Sequence, residues 1–146
     1  QLGDPKAFQF SKPRIEGLNF SFSGLKTSIL YTIRDHVKVE ENFKSLHLND
    51  LCASIQNSIV SILMDKIEKA VKETGIQCVV IAGGVSANSE LRKRLSAKIN
   101  QGWKVSIPKF SYCTDNAAMI AMAGKFLFES GVRADQSVSA QARLAW

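Results

Sequence analysis

The sequence predicts an α/β fold built on a parallel βαβ core. Two short β-branched runs, at 79–81 and 104–107, are separated by a segment with helical periodicity. The first run has the composition of a strand buried on both faces and leads into Gly83-Gly84, and Pro108 stops the second. Because a helix joins the two runs, we expect a parallel pairing with the default right-handed crossover.

Residues 1–24 are predicted to be irregular apart from a short N-terminal hairpin. They contain two prolines and show little helical periodicity. Apolar and polar residues alternate at 8–11 and again at 18–23, which is typical of half-buried strands. We therefore expect these two stretches to pair, with Gly24 ending the second one.

Residues 25–75 are predicted to form a helical insertion. Apolar side chains recur at helical spacing over 25–36, and a longer helix over 51–74 ends at Gly75, a residue suited to the left-handed position after a helix. The stretch 40–48 between them is polar and is predicted to be irregular. The first half of the long helix is nearly uncharged, so we expect it to be buried, whereas its charged second half should face water.

The core, residues 76–133, passes through a glycine turn into a basic helix. Gly83 and Gly84 carry no Cβ that would block a ligand, and either Ser86 or Asn88 can cap the helix that follows. Unpaired backbone N–H groups and the helix dipole would make this turn a site for an anion or a nucleotide. An ordinary tight turn between a strand and a helix is equally compatible with these residues.

A final helix over 116–130 completes the core, and the tail at 134–146 has no readable conformation. The helix is apolar nearly all round and rich in small residues, so we expect it to be central and buried. Asp115 stands after the second strand and just before this helix. Because ligands bind at the carboxyl edge of open α/β sheets, Asp115 should lie near Gly83 and Gly84. A helix cap is the alternative role for this carboxylate.

Charge and cysteine content bear on the partner and the compartment. The chain has 19 Lys and Arg against 13 Asp and Glu, a net charge of +6, with basic clusters within 92–104 and 6–14. Such clusters suit a polyanion such as RNA, although a solvated helix face has the same composition. Three cysteines without C-x-x-C spacing favour a reduced, cytoplasmic setting, with Cys52 and Cys78 as small core residues. No apolar run of about 18 residues occurs, so we expect no membrane span.

Three motifs together resemble the C-terminal part of the TsaD family. They read FSFSGLKT at 20–27, GGVSAN at 83–88 and YCTDNAAM at 112–119. Members of this family are tRNA N6-adenosine threonylcarbamoyltransferases, formerly described as O-sialoglycoprotein endopeptidases. The resemblance covers nearly the whole chain. It implies part of one lobe of the actin-like ATPase (ASKHA, ribonuclease H-like) fold, in which the active site lies between two lobes.

The resemblance also implies which residues form the site. Gly83, Gly84 and Asn88 would line the site for a nucleotide or for threonylcarbamoyl-AMP. Asp115 would be a ligand of the family's divalent metal, usually iron and sometimes zinc. The reaction transfers threonylcarbamoyl from threonylcarbamoyl-AMP to N6 of adenosine 37 in tRNAs that read codons beginning with A. A metal that polarises a carbonyl is sound chemistry for this transfer.

The chain departs from the family pattern in ways that bear on activity. The family's other metal ligands lie in an H-x-x-x-H motif, and neither that motif nor the glycine-rich phosphate loop of its middle region occurs here. Asp115 is thus left without partner ligands, and a lone carboxylate holds a transition metal weakly. We expect the chain alone to be inactive. We also expect it to self-associate through the apolar first half of the long helix and the sheet edge.

Two other classes of protein share part of this pattern. A non-catalytic TsaB-like paralogue would act as a scaffold, but such proteins typically lack the pair found here at Asp115-Asn116. A sugar or acetate kinase of the same superfold shares the Gly-Gly turn but is not expected to carry the TDNA segment. The TsaD resemblance further implies tRNA, a TsaB-like paralogue and a TsaE-like small ATPase as partners.

Overall fold

The fold is taken from a computed structural model, which describes residues 2–13 and 15–139. In chain order the helices and strands are α1 (Ser23–Val39), α2 (Phe43–Leu46), α3 (Leu48–Thr74), β1 (Cys78–Val80), α4 (Ser89–Lys98), β2 (Lys104–Ser106) and α5 (Ala117–Glu129). Short 3₁₀ turns occur at Gly84–Ala87, Ile99–Gln101 and Phe110–Tyr112. This arrangement confirms the predicted mixed α/β class.

The two strands pair in parallel, as predicted, and pack against α3 and α4. Val79 lies opposite Val105 in the register, and both pack on a helical core. That core consists of four buried side chains from the two helices: Val60, Met64, Leu91 and Leu95. Cys78 and Val80 are exposed on the other side. The prediction that β1 is buried on both faces is therefore wrong, because the described helices cover only one face of the sheet.

The residues before α1 are irregular and do not form the predicted hairpin. The backbone N–H of Phe8 donates to Ser54 Oγ on α3 at 3.1 Å, and the N–H of Ser11 donates to Ser28 Oγ on α1 at 3.0 Å. Helix hydroxyls thus replace a partner strand, and the described part of this segment contains no strand. Phe10 anchors the segment in a second core with α1 and α3.

The helical region is more continuous than the sequence predicts. α1 begins at Ser23, and α2 occupies part of the stretch 40–48, where the composition predicts irregular structure. The first half of α3 is covered, as expected, because Ile55 and Ile59 pack with α1 and the N-terminal segment. This half of α3 therefore does not provide the surface predicted for self-association, whereas Val80 at the sheet is 67% exposed.

The position of α5 is the largest departure from expectation. Met119, Ile120 and Phe126 are 47%, 65% and 62% exposed, and α5 contains no buried residue. The prediction of a central, buried helix is wrong for the described chain, because no other described element packs extensively against α5. α5 is instead the main exposed apolar surface among these residues.

The cysteines and the helix lengths complete the description. All three thiols are free, and Cys52 and Cys78 are exposed whereas Cys113 is buried. The first two are therefore not the core residues that the sequence predicts, because they lie on faces that no described element covers. Within 2–13 and 15–139, no helix combines the length and the apolar character needed to cross a membrane.

Candidate nucleotide site

Gly83 and Gly84 form the turn that leaves β1, and we call residues 83–88 the glycine turn. Gly83 has φ 75° and ψ −179°, a conformation essentially restricted to glycine. A Cβ built on either glycine would meet nothing within 4 Å. Protein packing therefore does not explain the second glycine, and the space in front of the turn is open to a ligand.

Asn88 caps α4, which decides between the two caps that the sequence allows. Its Oδ1 accepts hydrogen bonds from the N–H of Leu91 at 3.0 Å and from Nε2 of Gln56 at 3.5 Å. Ser86 is buried instead, and its hydroxyl donates to the Gly83 carbonyl at 2.6 Å. Nδ2 of Asn88 has no acceptor in the described part of the chain, so this amide group remains available to a ligand.

Backbone N–H groups without an acceptor in the described chain occur in the glycine turn itself, ahead of α4. A 3₁₀ turn, Gly84–Ala87, lies between Gly83 and α4, so the two glycines are not followed directly by the α-helix. The N–H groups of Gly84 and Val85 have no acceptor among residues 2–13 and 15–139. A glycine pair followed by a cap residue can precede either an α-helix or a 3₁₀ turn. The sequence therefore did not distinguish these two structures.

An apolar cavity of about 400 Å³ lies beside the glycine turn. Its walls come from α1, α3 and the turn, namely Phe22, Leu25, Lys26, Ile29, Ile59, Leu63 and Val85. The cavity therefore joins the FSFSGLKT motif to the GGVSAN motif. Its size and its mostly apolar walls are typical of sites for small organic ligands and cofactors. Lys26 is the charged residue among these lining side chains.

Arg92 joins the glycine turn to residues 108–116, which we call the Asp115 segment. Its guanidinium donates through Nη1 to the Ser86 carbonyl at 2.9 Å and through Nη2 to the Pro108 carbonyl at 2.7 Å. It also lies 4.2 Å from the centroid of the Phe110 ring and contacts Sγ of Cys113 at 3.8 Å. Sequence reasoning placed Arg92 in a cluster for RNA or solvent, and no local signal reveals these long-range contacts.

Other basic residues are also engaged within the chain. Arg94 donates to Asn57 of α3, and Lys98 pairs with Glu68 of α3 at 2.7 Å. These contacts reduce the positive surface that the composition predicts for RNA. Arg14, in the second basic cluster, lies outside the described residues.

Asp115 is exposed, and it does not cap α5. Asn116 is the cap, because its Oδ1 accepts a hydrogen bond from the N–H of Met119 at 2.9 Å. The Asp115 carboxylate has no hydrogen-bond or ion-pair partner in the described ranges, so its oxygens are free to accept one. The contacts of Arg92 bring the Asp115 segment to the glycine turn.

A metal ion would find one ligand in this region. The described residues contain no group of three or more His, Cys, Asp or Glu that could hold a metal. His36 instead stacks on Phe43 with a centroid distance of 4.5 Å, and the His47 ring packs on Phe43 at a tilt, 4.8 Å away. A free carboxylate suits a divalent metal as a single ligand, but these residues do not fit a complete metal centre.

Comparison with known proteins identifies the family. The family model described as "TsaD: tRNA N6-adenosine threonylcarbamoyltransferase" matches residues 1–122. A protein named tRNA N6-adenosine threonylcarbamoyltransferase from Christiangramia forsetii is 56% identical over 144 residues, which cover 98% of this chain and 42% of the relative. Proteins of the same name from Riemerella anatipestifer and Thermosipho africanus are 50% and 45% identical, over 98% and 94% of this chain.

These matches extend across all three motifs. The chain spans about 42% of the length of the first two relatives and about 41% of the third. The match favours neither of the two other classes that the sequence left open, the TsaB-like scaffold and the sugar or acetate kinase. On this similarity, the chain belongs to the TsaD family of tRNA N6-adenosine threonylcarbamoyltransferases.

Proposed function

We propose that this chain forms the nucleotide-binding part of a tRNA N6-adenosine threonylcarbamoyltransferase. The complete protein would transfer threonylcarbamoyl from threonylcarbamoyl-AMP to N6 of adenosine 37 in tRNAs that read codons beginning with A. The chain would be part of one actin-like ATPase (ASKHA) lobe. The observation that carries the proposal is the apolar cavity shared by the first two motifs, next to a turn with free N–H groups.

The two parts of the site suit the two parts of a nucleotide. The flat faces of the adenine ring would pack against Leu25, Ile59 and the other aliphatic walls of the cavity. The phosphate would accept hydrogen bonds from the free N–H groups of Gly84 and Val85, and the Lys26 ammonium would supply a charge. Nδ2 of Asn88 would donate a further hydrogen bond to the ligand.

The test is a titration of the chain with AMP, the nucleotide part of the proposed substrate, followed by calorimetry or NMR. Gly84→Ala adds one methyl group where no protein atom lies within 4 Å, so the fold should be retained. The methyl group would occupy ligand space, and we expect AMP binding to weaken about tenfold. Gly124→Ala in α5 is the matched control, because its Cβ also meets nothing within 4 Å. Equal AMP affinity in the two variants would contradict the proposal.

Asp115 would supply one ligand to a divalent metal, iron by resemblance to the family and zinc as the alternative. The other ligands would come from parts of the protein outside this chain, so we propose that the chain alone is inactive. In a full-length protein, Asp115→Ala should abolish both metal content and threonylcarbamoyl transfer to unmodified tRNA. Asp135→Ala, at another exposed aspartate, is the control. Normal metal content and normal transfer in the Asp115 variant would mean that Asp115 is a surface carboxylate and not a metal ligand.

The partners of the complete protein would be tRNA, a TsaB-like paralogue and a TsaE-like small ATPase, in the cytoplasm. Three free thiols support a reduced compartment. Because Arg94 and Lys98 already bind α3, contacts with tRNA would rest on exposed residues such as Lys93 and Lys104. We further propose that the isolated chain self-associates, with α5 of a second copy covering the exposed apolar surface of α5.

A further inference from the structure

We propose that Arg92 is a positioning residue, which transmits the binding of a nucleotide at the glycine turn to the Asp115 segment. This inference rests on the proposed nucleotide site. Arg92 touches both segments, although they follow different strands. A ligand that reduces the backbone motion of the glycine turn would, through Arg92, also reduce the backbone motion of the segment that carries Asp115.

The geometry requires an arginine rather than any positive charge. The two groups to be joined, the carbonyls of Ser86 and Pro108, are both acceptors and cannot bond to each other. Arg92 reaches them with separate nitrogens at 2.9 and 2.7 Å. A guanidinium holds its donors in a fixed plane, whereas a lysine offers a single ammonium on a flexible stem. The half-buried setting strengthens these charge-assisted bonds.

Arg92 is held firmly at its own end. Its neighbours on α4, Leu91 and Leu95, are 4% and 0% exposed in the helical core. The backbone of Arg92 therefore moves only with that core, and the hydrogen bonds to the Ser86 and Pro108 carbonyls hold the guanidinium between the two segments.

The Asp115 segment contacts the Arg92 guanidinium at three places. The Pro108 carbonyl accepts from it, the Phe110 ring stacks on it at 4.2 Å, and Sγ of the buried Cys113 lies 3.8 Å away. Asp115 follows only two residues after the last of these contacts. The contacts that Arg92 makes therefore keep the backbone around Asp115 in place.

The glycine turn provides the other half of the link. Its free N–H groups, on Gly84 and Val85, would bind the phosphate, and the carbonyl of the next residue, Ser86, is the one that Arg92 holds. A ligand on the N–H groups therefore stiffens the peptide units that carry the Arg92 contact. By linkage, an ordered Asp115 segment would also favour the nucleotide.

The experiment is hydrogen–deuterium exchange of the chain with and without AMP, in three variants. Arg92→Met removes the link, and Arg92→Lys keeps the charge but not the pair of bonds. Arg94→Met is the matched control, because Arg94 is also half-buried on α4 and loses hydrogen bonds to Glu90, Ser61 and Asn57, yet contacts neither segment.

In the unchanged chain and in Arg94→Met, AMP should slow exchange in residues 109–116. In Arg92→Met and Arg92→Lys this protection should disappear, while AMP affinity falls by no more than about threefold, because Arg92 does not touch the ligand. Protection that persists in both Arg92 variants, or that is lost equally in Arg94→Met, would overturn the proposal.

Failure of the nucleotide site is distinguishable from failure of this proposal. If the unchanged chain does not bind AMP, the nucleotide proposal fails and the role of Arg92 in transmitting binding fails with it. The positioning role of Arg92 is then tested by exchange measurements without AMP. Exchange in 109–113 should be about tenfold faster in Arg92→Met than in Arg94→Met, since only the first variant frees the segment. Equal rates would overturn the positioning role as well.

Discussion

The helices α4 and α5 begin in the same way and end in different environments. Each follows a strand, and each is capped by an asparagine whose Oδ1 accepts from the N–H three residues later, at 3.0 Å for Asn88 and 2.9 Å for Asn116. The polar α4 places Leu91 and Leu95 in the core, whereas the far more apolar α5 buries nothing. Apolar content therefore indicates that a helix needs a partner, but burial depends on which element faces it.

The charged residues of α4 and α5 also differ in whether they contact other elements of the fold. On α4, Arg92 holds two loops, and Lys98 pairs with Glu68 of α3. On α5, Lys125 pairs with Glu129 of its own helix at 3.6 Å, and both side chains are more than half exposed. Long side chains thus reinforce tertiary contacts in α4 and only the local helix in α5.

Truncation of one leucine in each helix gives the largest expected contrast. Leu95→Ala should lower the free energy of unfolding by about 2–5 kcal/mol, because Leu95 is fully buried and leaves a cavity. Leu127→Ala in α5 should change it by less than about 0.5 kcal/mol, since that side chain is 53% exposed. Urea denaturation, at a protein concentration where the chain is monomeric, measures both values. A large loss with Leu127→Ala would mean that α5 is packed in solution.

Self-association tests the consequence of the exposed helix. Phe126→Lys places a charge on the apolar surface of α5 and should weaken association of the isolated chain about tenfold or more. The measurement is sedimentation equilibrium over a range of concentrations. Val39→Lys, at a 91% exposed position on α1, should leave association unchanged. A monomeric unchanged chain would refute the proposed contact between copies of α5.

Loss of the asparagine cap should have different consequences in the two helices. Asn88→Ala should cost about 1 kcal/mol of global stability, because α4 is part of the cooperative core. Asn116→Ala removes an equivalent cap, but it should mainly fray the first turn of α5 and leave the urea midpoint nearly unchanged. Amide exchange within α5 measures the local loss. Equal shifts of the urea midpoint would contradict this separation.

The smallest effect concerns the turn that follows α5. Hydrogen bonds from the side chain and backbone of Ser137 hold the pKa of Asp135 below its ordinary value. A lowered pKa in the folded state means that the turn is stabilised above the ordinary pKa of aspartate and loses this stabilisation as the pH falls through the lowered value. Ser137→Ala should raise the pKa of Asp135 in an NMR titration.

Asp35 provides an internal control in the same titration. Its pKa is also lowered, chiefly by the hydrogen bond from Lys38, and it lies on α1. Ser137→Ala should leave the pKa of Asp35 unchanged. An unchanged pKa of Asp135 would mean that the hydrogen bond from the Ser137 hydroxyl is absent in solution.

Several local features could be predicted because neighbouring residues decide them. Gly75 takes the left-handed position after α3 with φ 71°, as the predicted end of the long helix requires. The parallel pairing of β1 and β2 follows from the helix between them. The candidate site was predictable in part: the glycine turn is local, the cap was limited to Ser86 or Asn88, and the three motifs point to the family. The cavity was not, because its walls come from distant parts of the chain.

The amino-acid sequence alone predicts where most helices and both strands form, which turn needs glycine and to which family the chain belongs. These properties depend on backbone conformation and on short motifs. Three features emerge only in the folded chain: hydroxyls on α1 and α3 replace a hairpin partner, Arg92 binds two loops, and α5 is left exposed. Hydrogen bonds and burial between distant segments depend on which groups the fold brings within a few ångströms, and periodicity along the chain carries no record of that distance.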